Sequence, residues 1–403
     1  MQRSGELAPT QAGERFELLD VVRGLALFGI VSANMISYSL YLYLPEAAKA
    51  ALPTHASDRV LEFLELMLIE GKFYTIFSVL FGLGFSVLRS RARAKNLVFH
   101  RFYLRRVFFL FAIGVAHAVL FWHNDILQAY AFCGALLLPA VAARNRTILI
   151  LAGVALLAPI AIQLAGGISL GVLADAQGGL WDRFRFTRDT RVDTWTHGSP
   201  GEIVRLNLSM VLSQVSFLLT SGMIFKIYGC FLLGFYLGRN EVYKQLEMRR
   251  PILKRLAIGG FAVGLPVNAV YAATFDSGSW LETLSGTFGI LPLSLGYVAV
   301  CCLMWLDSRR RNQLRHFAPV GRTALTSYVG QSVICTLLYY GTGLGLGGTM
   351  GPTLYLPIAF AVYAVQVLLS RLWLERFRFG PVEWLWRMLT YGEWLPLAKR
   401  AAL

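Results

Sequence analysis

Charge is what this sequence has least of. Only 15% of its 403 residues are Asp, Glu, Lys or Arg, against 56% hydrophobic, too little to cover the surface of a soluble protein of this length. Cysteine is scarce too. Cys133, Cys230, Cys301, Cys302 and Cys335 all fall in apolar runs, without disulfide or metal-site spacing, and read as small core residues. That composition excludes a soluble cofactor enzyme; there is also no dinucleotide-binding glycine fingerprint, no P-loop and no HExxH, and no metal is expected. The first fifteen residues mix both signs of charge and carry no small-residue cleavage pattern, so no signal peptide is read there. No fixed-period repeat is visible, nor a pair of Gly/Pro-broken helices of the transporter kind.

What is present is apolar length. Mean hydropathy is +0.55, and runs of about 18 or more apolar residues, each long enough for about 30 Å of hydrocarbon, recur throughout. The chain is expected to be all-α, a polytopic integral membrane helix bundle forming a single transmembrane domain over 1–403. Spans are expected at about 18–42, 63–89, 103–122, 126–143, 147–173, 205–239, 254–275, 284–306, 323–346 and 353–373. That makes ten crossings, with slack of one or two. Two candidates are overlong: the stretch 60–89 should begin as an amphipathic interfacial piece, and 205–239 should bend near Ser221-Gly222.

The net charge of +15 does not point to nucleic acid, because the basic residues sit in alternate loops. Arg89–Arg106 carries seven Lys/Arg, Arg239–Arg255 six and Arg309–Arg322 five, while the turns HND, FDSGSWLE and GLGLGGTMGP carry none. This pattern predicts both termini and the basic loops in the cytoplasm. The loop at 174–204, with four arginines, is the exception, and long translocated loops obey the rule weakly. It is also the one extramembrane segment large enough to form a lid.

Ionisable residues gather on both sides. The outward set is Glu70 and Lys72 at the start of span two, His117 late in span three, and His123 and Asp125 in the joint that follows, with His55 able to join them. The helical rise puts His117 about 7–9 Å below the outer end, a depth at which it must be buried in protein or face a wet cavity. The inward set is Asp20 and Arg23, then Arg101, Arg105 and Arg106, then GRTALTSYVGQS (Gly321–Ser332) and the tail FGPVEWLWRMLT with Glu383, Trp384, Trp386 and Arg387. Arginines, hydroxyls and helix N-termini suit phosphate, and Trp384 and Trp386 suit an adenine ring. Plain structural roles stand beside each. Asp125 with Gln128 fits a capping box, Asp20 and Arg23 an ion pair, the tryptophans an interfacial belt, and Lys226 a snorkelling cation.

The stretches LLDVVRGLALFGIVSAN, GKFYTIFSVLFGLGF, HAVLFWHNDILQAY, GRTALTSYVGQS and RFGPVEWLWRMLT occur in that order, and together they resemble the motifs of the YeiB-like family of bacterial inner-membrane proteins. The resemblance runs over about 16–391, with its C-terminal motif region at about 239–391. It implies a multi-pass protein of the bacterial cytoplasmic membrane. The matched positions are Asp20, Arg23, Lys72, Phe73, His117, Asp125, Tyr130, Arg322, Thr323, Ser327, Tyr328, Gln331, Glu383, Trp384 and Arg387. The first helix is similar to that of heparan-α-glucosaminide N-acetyltransferase and other transmembrane acyltransferases, which pass an acyl group from cytoplasmic acyl-CoA to an acceptor on the far side. In those enzymes the catalytic histidine precedes an aromatic- and proline-rich second span. GKFYTIF lacks that proline, so the role falls here to His117 or His123.

The mechanism this implies uses acyl-CoA as donor. Its phosphates would lie at Arg23, Arg322 and Arg387 beside Asp20, its adenine near Trp384, and its pantetheine arm along Ser327, Tyr328 and Gln331. His117, or secondarily His123, acts as general base or transient acyl carrier, with Asp125 orienting the imidazole. Glu70, Lys72 and Tyr130 bind the outer-side acceptor or the oxyanion. The acceptor, whether glycan, lipid head group or secreted metabolite, is not chosen by the residues. Membrane lipids are the other expected partner, and homo-oligomerisation is left open. Two readings compete: a transporter of a small organic ion with His117, Asp125 and Lys226 as a relay, and a scaffold whose polar groups only join helices.

Overall fold

Residues 16–96, 98–165 and 188–399 are described by the structure, a computed structural model. Of the expected outer loop, 174–187 lies outside these residues. The described residues are helical throughout and contain no strand, only an isolated antiparallel bridge between Phe377 and Ala398. Eight helical stretches among them are long and apolar enough to cross a membrane: Glu17–Tyr38, His55–Ala94, Phe99–Leu120, Asn145–Leu164, Pro200–Thr220, Arg250–Thr274, Trp280–Leu306 and Pro352–Arg376. Many carry large apolar side chains on their outer faces, such as Phe108, Val154, Leu212 and Phe360, each more than 40% exposed. Water would penalise such a surface and hydrocarbon does not.

The long helices are labelled α1 (Glu17–Tyr38), α2 (His55–Leu68), α3 (Lys72–Ala94), α4 (Phe99–Leu120), α5 (Leu127–Ala135), α6 (Asn145–Leu164) and α7 (Pro200–Thr220). They continue as α8 (Met223–Arg239), α9 (Arg250–Thr274), α10 (Trp280–Leu306), α11 (Ala324–Tyr339), α12 (Pro352–Arg376) and α13 (Pro381–Tyr391). Both overlong stretches break where glycine takes a positive φ. Gly71, at φ 82°, separates α2 from α3, and Gly222, at φ 70°, separates α7 from α8. At the first break the Lys72 ammonium donates to the Leu66 carbonyl at 2.7 Å, supplying a donor that the end of α2 lacks.

The expected single span 205–239 is therefore corrected to two helices. Asn207 near the start of α7 donates to the Val119 and Phe121 carbonyls at the end of α4. Gly222, just past its end, packs on Pro159 late in α6. Both neighbours belong to one end of the bundle, so α7 runs along that end and α8 makes the traverse. The traverse is tight because Gly82 of α3 faces the Phe231 carbonyl of α8 and Gly234 faces the Val79 carbonyl in return. Small residues let the two backbones meet.

Hydrogen bonds sort the connections into two ends. The segments near Ser39, Phe121, Trp195 and Gly341–Gly348 are joined to one another through Gly348 to Ser39, Gly341 to Trp195, and Asn207 to Phe121. This is the joint end. At the other end Arg239 donates to the Ala143 carbonyl and Asn145 to Asn240, and Arg315 pairs with Glu17. That is the basic end. The Lys/Arg alternation read from the sequence corresponds to a spatial division.

Candidate functional site

One cavity of about 970 Å³ runs between the two ends, enclosed chiefly by α1, α3, α7, α10 and α13, with α4, α5 and α11 contributing. At the basic end its wall carries five guanidiniums, those of Arg23, Arg91, Arg106, Arg322 and Arg387, against the carboxylates of Asp20 and Glu383. Arg23 pairs with Asp20 at 2.8 Å and also reaches the Gly321 carbonyl. The Arg106 guanidinium lies 3.7 Å from the centre of the Trp386 ring, whose indole N–H donates back to the Arg106 carbonyl at 2.9 Å. Arg387 lies over Phe379, and burial holds its guanidinium below the usual range. The Arg322 Nε is buried without a partner. Positive charge is in excess here, with an unfilled donor among it, which suits an anion.

Glu383 does not add to that anion site. Its Oε1 accepts the N–H groups of Leu325 and Thr326 at 2.5 and 3.0 Å, and its Oε2 accepts the Thr326 hydroxyl. Burial pushes this carboxyl up, and the donated bonds pull it back. The N-terminus of α11, expected from sequence to be open to phosphate, is thus already filled by a carboxylate from α13.

At the joint end His123, Asn124, Glu65, Glu70 and Lys226 face the cavity. The His123 Nε2 lies 3.0 Å from the Tyr43 hydroxyl, and its ring stacks on Trp195 at 5.0 Å and 13°. Its Nδ1 is buried and unpartnered. Burial, with Arg191 nearby, pushes the imidazole down to about 3, so it is neutral. Trp195 belongs to the last part of the expected lid, and it is fully buried in this joint.

His117 and Asp125, which the sequence ranks first, form a pair at 2.9 Å with side chains 1% and 0% exposed. The Tyr328 hydroxyl donates to the same Asp125 oxygen at 3.3 Å, and the other oxygen accepts the Gln128 N–H at 3.2 Å. Half of the expected capping box is present: Asp125 caps the Gln128 N–H, while the Gln128 amide turns to the Gly114 carbonyl. This pair stands behind the cavity, and Tyr328 is the member that reaches the wall. The His117 Nε2 is buried without a partner.

The remaining candidates divide in the same way. Tyr130 faces the cavity, its hydroxyl held by Ser78 at 2.7 Å. Lys72 is spent on Leu66. Gln331 bonds Gln366 at 2.9 Å, and Ser327 bonds Thr323 at 3.3 Å, both inside the α11–α12 contact. Trp384 donates to the Leu395 carbonyl and meets Trp394 edge-on. It is Trp386 that turns to the cavity. Arg91 and Glu65 were missed because one sits in a loop read as a topology signal and the other in an interfacial stretch. Arg91 does follow Gly84 and Leu88 on one helical face of α3, a signal the sequence carries.

Residues 237–393 match the model of a family described as proteins of unknown function, DUF418. The chain is 32% identical to the uncharacterized protein YxaH of Bacillus subtilis, with 98% of each chain aligned. It is 29% identical to the uncharacterized protein YeiB of Escherichia coli, over 94% of this chain and 96% of that one. No solved structure matches.

Proposed function

The chain belongs to the YeiB-like family of multi-pass membrane proteins, and from that footing we propose that it is a membrane acyltransferase, carrying an acyl group from cytoplasmic acyl-CoA to an acceptor on the outer side of the bacterial cytoplasmic membrane. One observation carries the reading: a single cavity has guanidiniums at its basic end and a neutral histidine at its joint end. By the positive-inside rule the arginines face the cytoplasm, where acyl-CoA is.

In this reading the donor's phosphates lie among Arg23, Arg322 and Arg387, and its adenine stacks on Trp386 rather than Trp384. The thioester reaches the joint end. His123 acts as general base: turning the imidazole off Trp195 brings its buried, unpartnered Nδ1 to an acceptor hydroxyl or amine, whose proton it takes. The new C–O or C–N bond forms, the C–S bond breaks, and the proton passes to the leaving thiolate. His117, Asp125 and Tyr328 position the wall beside it. Burial makes this imidazole a weak base, so the proton it takes passes on readily to the thiolate.

The test is release of free CoA thiol from acyl-CoA by protein in nanodiscs. Wild type is expected to release it, Arg322→Ala to bind donor weakly, and His123→Ala to bind donor without turnover. A second reading, transport of a small organic ion, draws on Glu65, Glu70 and Lys226 facing one cavity. Gradient-driven uptake with no acyl-CoA binding would select it.

A further inference from the structure

The run KFYTIFSVLFGLGF sets Phe73, Phe77, Phe81 and Phe85 four residues apart, a stripe that winds about 120° around α3 as it descends. All four line the cavity, with Leu27 and Ile30 of α1 also in its wall. The rings are fixed from behind: Phe73 stacks on Tyr297 at 5.7 Å, Phe81 on Phe231 at 4.5 Å, and Phe85 meets Tyr103 edge-on at 4.7 Å. The stripe begins just past Glu70 at the joint end and descends about 18 Å towards the arginines. A polar arm lying along it would give up hydrogen bonds to water, whereas a hydrocarbon chain gives up none.

Two further observations describe the occupant. Gly84 lies on the same face, inside a helix that glycine weakens, and a Cβ added there would meet nothing within 4 Å. Its neighbour Gly82, by contrast, is pressed against backbone. Phe217 of α7 lines the cavity and is 53% exposed. Among the described residues, then, the cavity wall includes an apolar side chain left half uncovered.

We infer that this slot holds the alkyl tail of a phospholipid from the leaflet at the joint end, with its head group beside His123, Asn124 and Glu70 and the far part of its tail in the room left by Gly84. A lipid of that leaflet already has its head at that surface and its tail towards the midplane, so it enters without inversion. The donor's anionic head belongs at the opposite end, with the guanidiniums. Tail binding stands on the cavity alone. That the lipid is the acyl acceptor rests on the acyl-transfer reading.

The experiment uses full-length protein in nanodiscs containing phosphatidylethanolamine with a diazirine at the tail tip, irradiated and mapped by mass spectrometry. Label is expected on α3 near Phe81–Phe85, falling at least about tenfold in Gly84→Trp, while label at the lipid-facing Phe111 and Leu212 is unchanged. Excess unlabelled palmitoyl-tailed lipid should remove the interior label and hexanoyl-tailed lipid should not, a comparison that needs no variant. Label confined to lipid-facing positions, interior label that persists in Gly84→Trp, or equal displacement by both tails would overturn the inference. Interior label with no acyl-CoA turnover would leave the slot in place and remove the acyl-transfer reading.

Discussion

The Tyr328 hydroxyl donates to Asp125 Oδ1 at 3.3 Å, linking α11 to the joint before α5 across 203 residues of sequence, and His117 Nδ1 meets the same oxygen at 2.9 Å. One carboxylate therefore holds an imidazole, a phenol and, through its other oxygen, the first turn of α5. In the membrane interior, where water cannot replace a lost partner, such a carboxylate fixes the relative placement of α4, α5 and α11.

Removing that carboxylate strands two buried partners. Asp125→Ala is expected to cost about 3–5 kcal/mol, and Asp125→Asn less, since its carbonyl still accepts one of the bonds. Thermal unfolding in detergent measures both. Equal melting of wild type and Asp125→Ala would contradict the joining role.

Donor binding should depend on individual guanidiniums. A charge-assisted hydrogen bond is worth about 1.5–3 kcal/mol, so Arg322→Ala and Arg387→Ala should each weaken acyl-CoA binding about tenfold or more. The exposed Arg309 supplies the control: Arg309→Ala should leave affinity unchanged. Calorimetry in nanodiscs decides, and equal weakening by all three would indicate a diffuse charge effect.

The His123 imidazole is pushed down to about 3 by burial, from an ordinary value of about 6.5. Its contribution to stability is fully present above about pH 6.5. It is lost as pH falls towards the native value, because only the unfolded chain takes the proton. The melting temperature of wild type should fall more steeply between pH 6.5 and pH 4 than that of His123→Phe, which keeps an aromatic ring against Trp195. Parallel curves would place His123 in contact with water.

Two glycines two residues apart should behave oppositely. Gly82→Ala forces a methyl group into the Phe231 backbone and is expected to lose folded protein, whereas Gly84→Ala meets nothing. The latter should stabilise by about 0.5–1 kcal/mol through helix propensity. Yield and melting temperature of the two variants give the comparison.

The apolar spans and the Ser221-Gly222 break were legible because hydrocarbon and a positive φ each demand particular residues. Which face of a helix meets the cavity was not. Trp384 and Trp386 are two positions apart, about 200° around the helix, and only the placement of α4 decides that Trp386 turns inward to Arg106. His117 looked catalytic by its depth, but its pairing with Asp125 and Tyr328 puts it behind the wall and leaves His123 facing the cavity. The filling of the α11 N-terminus by Glu383, 57 residues away from Thr326, has no local signature.

The most direct test of the account uses proteoliposomes with acyl-labelled palmitoyl-CoA supplied only to the face bearing the basic loops. The account predicts label on lipid head groups of the opposite leaflet, lost in His123→Ala and reduced in Arg322→Ala. If acyl-CoA is neither bound nor consumed at any concentration up to saturation of the assay, acyl transfer is contradicted and transport becomes the leading reading.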